Sequence, residues 1–153
     1  MRTLTVWLLC LSLLGCTKPD EVTPAASAEA VVGDWVLVDP ASAYTVTLTV
    51  NELSPAPMAG FYSIRFSGRS SVNTYFMSGL FSKGPSIESG EAGTGSVSGL
   101  GATKMAGPPE AMRFETDYFQ RLGSVNRIER TGAGRLRLSH TQPSPGVLIY
   151  QRQ

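Results

Sequence analysis

Few side chains in this chain have the types needed for covalent or metal chemistry. It contains one imidazole, His140, and two thiols, Cys10 and Cys16. A structural zinc site draws on about four Cys or His ligands, and a hydroxyl or thiol nucleophile needs a base beside it, so both are nearly excluded by inventory. His140 ends an apolar run just before TQPSPG, which predicts an exposed turn residue without a catalytic role. The carboxylates Asp34, Asp39, Glu88, Glu91, Glu110, Glu115, Asp117 and Glu129 show no spacing that pairs a general acid with a general base. Glu110, Glu115 and Asp117 read as the surface and N-terminal charge of one helix. The Gly-rich stretch 82–99 lacks both the G-x-G-x-x-G spacing and a Walker Lys-Ser/Thr pair, so a hairpin connection is expected there and a phosphate cradle is not. No enzyme activity, no metal and no cofactor are expected.

Cys16 is the thiol whose surroundings point to chemistry. Residues 1–16, MRTLTVWLLCLSLLGC, place Arg2 ahead of an apolar run from Val6 to Leu14, the layout of a secretory signal. That run is shorter than the roughly 20 residues needed to span a bilayer. Its end, Leu13-Leu14-Gly15-Cys16, resembles the bacterial lipobox, in which small Gly15 leaves room for the peptidase and the Cys16 thiol accepts diacylglycerol. Cleavage at Ala26-Ser27-Ala28 is the alternative, but Lys18, Asp20 and Glu21 separate that pattern from the apolar run. Thr17, not Asp, follows Cys16, so by resemblance to enterobacterial sorting an outer-membrane lipoprotein is expected, facing the periplasm or the cell surface. Cys16 is thus the expected contact with the membrane, where three acyl chains anchor stably and one only marginally. Residues 17–30 carry no aromatic and one branched aliphatic, Val22, too little apolar area to offset ordering, and read as a flexible tether. The folded domain is expected over 31–153.

The elements that hold this chemistry follow from composition and periodicity. With 153 residues and a net charge of +1, one domain without a basic excess is expected, and nucleic acid is not an expected partner. Charged residues are 16%, against about 25% in typical soluble chains, and 16 Gly with 10 Pro point to many turns. Alternation predicts strands at GDWVLVD (33–39), YTVTLTV (44–50), FYSIRFSG (61–68) and VNTYFMSGLF (72–81), with Gly79 as a bulge and ELSPAPMAG breaking the chain between the second and third. Brief strands are expected around Ile87 and Val97, then at SVNRIER (124–130), RLRLSH (135–140) and GVLIYQR (146–152). Arg135 and Arg137 alternate with leucines and read as a solvated edge. PPEAMRFETDYFQRLG (108–123) is the one helix, with Pro109 in its first turn, Gly123 as its C′ residue and a core stripe of Ala111, Phe114, Tyr118 and Leu122 widened by Met112 and Phe119. The resulting fold class is mainly β, an antiparallel sheet of about eight strands curled into a partly closed barrel, with the helix packed over one opening.

The order of these segments resembles the META domain. The residues that carry it are G-D-W-V-L-V (33–38), F-S-G-R-S-S-V-N-T-Y-F (66–76), G-A-T-K-M-A-G (101–107), E-A-M-R-F-E with Y-F-Q-R-L (110–122), R-L-R-L (135–138) and V-L-I-Y (147–150). The resemblance implies kinship with heat-inducible HslJ-type envelope lipoproteins, with roles in envelope stress or drug tolerance and no established reaction. It singles out Asn73, Thr103 and Lys104 as a candidate binding or structural motif. The family pattern implies cysteines where this chain has Val72 and Gly107, and their joint absence implies that they are partners in relatives that have them. Two functions are weighed: a monomeric, non-catalytic module that meets an envelope protein or glycan, and a barrel that encloses a small hydrophobic ligand. A core filled by Trp35, Tyr62, Phe66, Tyr75, Phe76, Phe114 and Phe119 favours the first.

Overall fold

Alternating inward and outward side chains build a wall of eight antiparallel strands, each hydrogen-bonded to the next in sequence. In the computed structural model, residues 31–82, 92–131 and 134–153 are described; the export segment, Cys16, the tether and Ile87 lie outside them. The order is β1 (Gly33–Asp39), β2 (Thr47–Pro55), β3 (Phe61–Arg69), β4 (Thr74–Ser82), β5 (Ala92–Ala102), α1 (Pro109–Gly123), β6 (Val125–Thr131), β7 (Arg135–His140) and β8 (Gly146–Arg152). β8 returns to β1, with Leu37 opposite Tyr150 and Val36 opposite Gln151, so the barrel is fully closed where the sequence predicted partial closure. Closure removes the edge assigned to Arg135 and Arg137: β7 is paired on both sides, and Arg137 lies 3.8 Å from Glu129 on β6.

Three other local expectations change. β2 starts at Thr47 and continues to Pro55 through the segment expected to break it, because a register shift between Val50 and Glu52 absorbs the irregularity and keeps Leu53 opposite Ile64. The brief strand expected around Val97 is longer than predicted: β5 takes in residues 92–99 of the Gly-rich stretch and runs on to Ala102. Gly79 is no bulge: it pairs in register with Ile64, and the Phe81 and Phe66 rings fill the space its missing side chain leaves.

The pleat decides which aromatics enter the core. Trp35, Leu48, Ile64, Phe81, Leu138 and Leu148 are each 0% exposed, and Tyr62, Phe66 and Tyr75 are also buried. Phe76, expected inside, points outward between inward Tyr75 and Met77 and is 64% exposed. Its ring lies over the bare backbone of Gly101, its cross-strand partner on β5, where an added Cβ would meet the ring at 2.5 Å. A cross-strand aromatic thus covers a strand glycine. Phe114 and Phe119 are half-buried on α1, the first tilted against Tyr44 and the second edge-on to Tyr75.

The helix closes one barrel mouth through a chain of phenols. The Tyr118 hydroxyl sits 2.7 Å from that of Tyr75 and 3.0 Å from that of Tyr150. Tyr75 donates to the Thr47 carbonyl at 2.8 Å. A carbonyl only accepts and each phenol has one proton, so donation runs from Tyr150 to Tyr118 to Tyr75 to Thr47. Burial pushes all three hydroxyls above the ordinary tyrosine range, which keeps the protons in place. Tyr75 reaches Thr47 across β3 only because Gly68 has no side chain, since a Cβ there would lie 2.1 Å from the Thr47 oxygen.

The direction of the chain ranks its members. Tyr75→Phe strands a Tyr118 proton and the Thr47 acceptor and should lower stability by about 1–3 kcal/mol, whereas Tyr150→Phe removes only the terminal donor and should cost about 0.5–1 kcal/mol. Urea denaturation of the two variants checks the order; equal losses would contradict the direction of donation.

Candidate functional site

The helix that seals the mouth also carries a carboxylate inward. α1 starts where Pro109 fixes its first turn, with Glu110 at the positive end and Arg121 at the negative end. It ends on Ser124, whose hydroxyl donates to the Arg121 carbonyl at 3.0 Å; Gly123, expected just beyond the helix, is its last residue. The buried positions are Ala111, Glu115, Tyr118 and Leu122, so Glu115 lies on the core stripe and is 4% exposed. This corrects the reading of Glu115 as helix surface.

Every group facing Glu115 is a donor. Its Oε2 accepts from the Asn73 amide at 2.9 Å, from the Val72 amide at 3.3 Å and from the Ser70 hydroxyl, and its Oε1 accepts from Asn73 Nδ2. Burial raises the Glu115 pKa, but the Ser70, Asn73 and Val72 donors outweigh it and hold the carboxyl below its ordinary value. Among the described residues, the charge is therefore kept on the buried carboxylate by neutral donors.

Asn73 turns this contact into a three-way clamp. Its Oδ1 accepts from Thr103 Oγ1 at 2.8 Å and from the Met105 amide at 2.7 Å, and its Nδ2 donates to the Met105 carbonyl at 3.4 Å as well as to Glu115. The backbone amide of Met105 can only donate, which fixes the orientation of the Asn73 side chain. Thr103 and Thr74 add a backbone bond of 3.0 Å, and Ser71 donates to the Ala111 carbonyl at 2.8 Å. The turn between β3 and β4, the linker 103–108 and α1 are thereby tied at one point. Asn73 and Thr103 come together as the sequence grouped them; Lys104 sits between the clamped residues but is exposed. Ser70 and Glu115 were missed, although a lone carboxylate on the apolar stripe of a helix was a readable signal.

His140 is buried, 5% exposed, and not the exposed turn residue expected. Nδ1 lies 2.9 Å from the Gln142 carbonyl, so that nitrogen carries the proton, and the ring packs over the bare backbone of Gly146. Burial first, then the nearby Arg121 charge, lower its pKa. Among the described residues no three His, Cys, Asp or Glu side chains converge on a common point. A half-open groove of about 190 Å³ runs between α1, the end of β1 and β8.

An eight-stranded antiparallel meander, closed on itself and plugged by a helix clamped through Asn73 and Glu115, defines the class of this domain. The META domain model matches residues 29–152, and the chain belongs to this family. No curated protein and no solved structure matches the chain.

Val72 and Gly107, where the family resemblance implied paired cysteines, are neighbours. A Cβ placed on Gly107 lies 3.5 Å from that of Val72, the lower limit for a disulfide, and Gly107 does not have a positive φ. Val72→Cys with Gly107→Cys should oxidise readily and stabilise by about 2–4 kcal/mol. Gly107→Ala alone should destabilise, because its Cβ would meet a Val72 methyl at 2.6 Å. Melting under oxidising and reducing conditions checks both.

Glu115 gives a pH-dependent outcome. A folded pKa below the unfolded value contributes stability that is complete above the ordinary glutamate pKa of about 4.3 and is lost as pH falls from there through the folded value. Glu115→Gln turns an amide against donors, so at pH 7 it should lower stability by roughly 2–3 kcal/mol. Urea melts across pH 7 to 3 should show the gap between wild type and variant narrowing below about pH 4; a constant gap would contradict an ionised Glu115.

Proposed function

We propose that this META domain is a non-catalytic module of the bacterial envelope, an outer-membrane lipoprotein anchored through Cys16 and lifted off the bilayer by residues 17–30. The single observation that carries the non-catalytic reading is the saturation of the Asn73–Glu115 cluster. The carboxylate of Glu115 and all four hydrogen-bonding positions of the Asn73 amide are engaged with the protein itself, so this constellation fastens the helix and offers no idle acid, base or nucleophile. His140 likewise donates to backbone. The outer surface is then the part that meets an envelope protein or glycan, in the stress or drug-tolerance setting that the family resemblance implies, and the module acts as a monomer.

Enclosure of a hydrophobic ligand inside the barrel is the less favoured reading. Trp35, Phe81, Tyr150 and the leucines of β7 and β8, each 0% exposed, occupy the interior that such a ligand would need.

The anchor is tested at Cys16. Intact mass of the native protein should show an acylated N-terminal Cys16, Cys16→Ser should leave a larger unlipidated precursor, and Thr17→Asp should shift the protein toward the inner-membrane fraction. A free Cys16 thiol, or a mature chain beginning at Glu29, would overturn the anchoring.

A further inference from the structure

The groove beside α1 joins an apolar floor to Arg121, which forms no ion pair among the described residues. Its helix side is the stripe Phe114, Asp117, Tyr118 and Arg121, spaced to share one face. Opposite lie Leu37 of β1, Leu148 of β8 and the rim residues Pro40 and Ala41. Leu148 and Tyr118 are buried and Leu37 and Phe114 half-buried, so the floor is apolar.

Arg121 is the independent observation. Its Nε is buried without a hydrogen-bond partner, and among the described residues no ion pair involves its guanidinium. Asp117, one turn earlier on the same helix, stands at the exposed rim and is not within ion-pair distance of it. Arg130 and Arg137 also have a buried Nε without a partner, but neither lines this groove. Arg121 itself lines the groove, and a carboxylate accepting from its guanidinium forms the strong, charge-assisted kind of bond.

We infer that this groove is a binding site for a small apolar monocarboxylate, whose carboxylate meets Arg121 and whose hydrocarbon body lies on the half-buried Leu37 and Phe114. Volume sets the size: an apolar cavity of about 150 Å³ takes a benzene ring, so about 190 Å³ fits a phenyl ring with a short side chain. Charge sets the class, because Asp117 at the rim disfavours a dianion such as a phosphate monoester. The site lies outside the filled barrel and does not depend on the anchor or on a macromolecular partner, so it goes beyond the proposed function and is tested separately from it.

The experiment uses the full-length chain in lipid nanodiscs, with empty nanodiscs as the blank and 3-(4-fluorophenyl)propionate followed by fluorine NMR. Saturable binding with a dissociation constant on the order of 0.1–1 mM is expected. Arg121→Gln should weaken it about tenfold, and its melting temperature, lowered only by the charge lost at the helix end, shows that the domain is still folded. Asp117→Asn should tighten it, and Ala41→Trp, at an exposed rim position, should block it without touching the core. The matching amine and alcohol should bind more weakly than the acid. Binding no greater than to empty nanodiscs, an unchanged affinity in Arg121→Gln, or an amine that binds as well as the acid would each overturn the inference.

Discussion

A buried carboxylate without a cation is the constraint around which the helix end of this barrel is arranged. Desolvating an ionised Glu115 is tolerable only if hydrogen bonds replace its water, and the donors come from the turn between β3 and β4. That turn must therefore aim two successive amides and the Asn73 side chain at the helix. With its nitrogen committed to Glu115, Asn73 has its oxygen free to take Thr103 and Met105, which fixes the linker leading into α1. The position of Tyr118 in the barrel mouth follows, because it lies one turn further along the same buried stripe.

The two mouths are closed by different physics. At the helix end, polar groups are satisfied one by one through the carboxylate cluster and the line of phenols. Toward the other, fully buried Trp35 donates to the Val31 carbonyl at 3.0 Å and has the Arg152 guanidinium 5.7 Å above its ring. Between them lies a layer of aliphatic and aromatic side chains whose packing needs no directional partner. Specificity of arrangement is concentrated at the ends, and bulk apolar burial in the middle.

Much of this was legible in the sequence because alternation is a strong signal: β1, β7 and β8 have the bounds their patterns predicted, and the helix differs by one residue. The length of β5 was not legible beyond the brief strand expected around Val97, since its glycines and serines have little strand propensity and the pairing is supplied by neighbours, such as the Phe76 ring over Gly101. Phe76 misled for the opposite reason, being apolar in a run of three apolar residues where only the pleat decides the face. Asn73 and Thr103 were visible through family resemblance. Glu115 stood on the apolar stripe but was read as surface because a charged residue on a helix is nearly always solvated, and the contacts that bury it come from a turn more than forty residues earlier.

An even number of strands in a meander brings the start of β1 and the end of β8 to the same rim, here the one opposite α1. The Gln153 amide donates to the Asp34 carbonyl at 3.0 Å, so the last residue is fastened beside the first strand. The strand order is in that sense a ring whose opening is arbitrary. A short link from Gln153 to Val31, with new ends cut at the 56–60 hairpin, would give a circularly permuted chain with its termini still on the Trp35 side, leaving the clamp and the groove on the opposite face undisturbed.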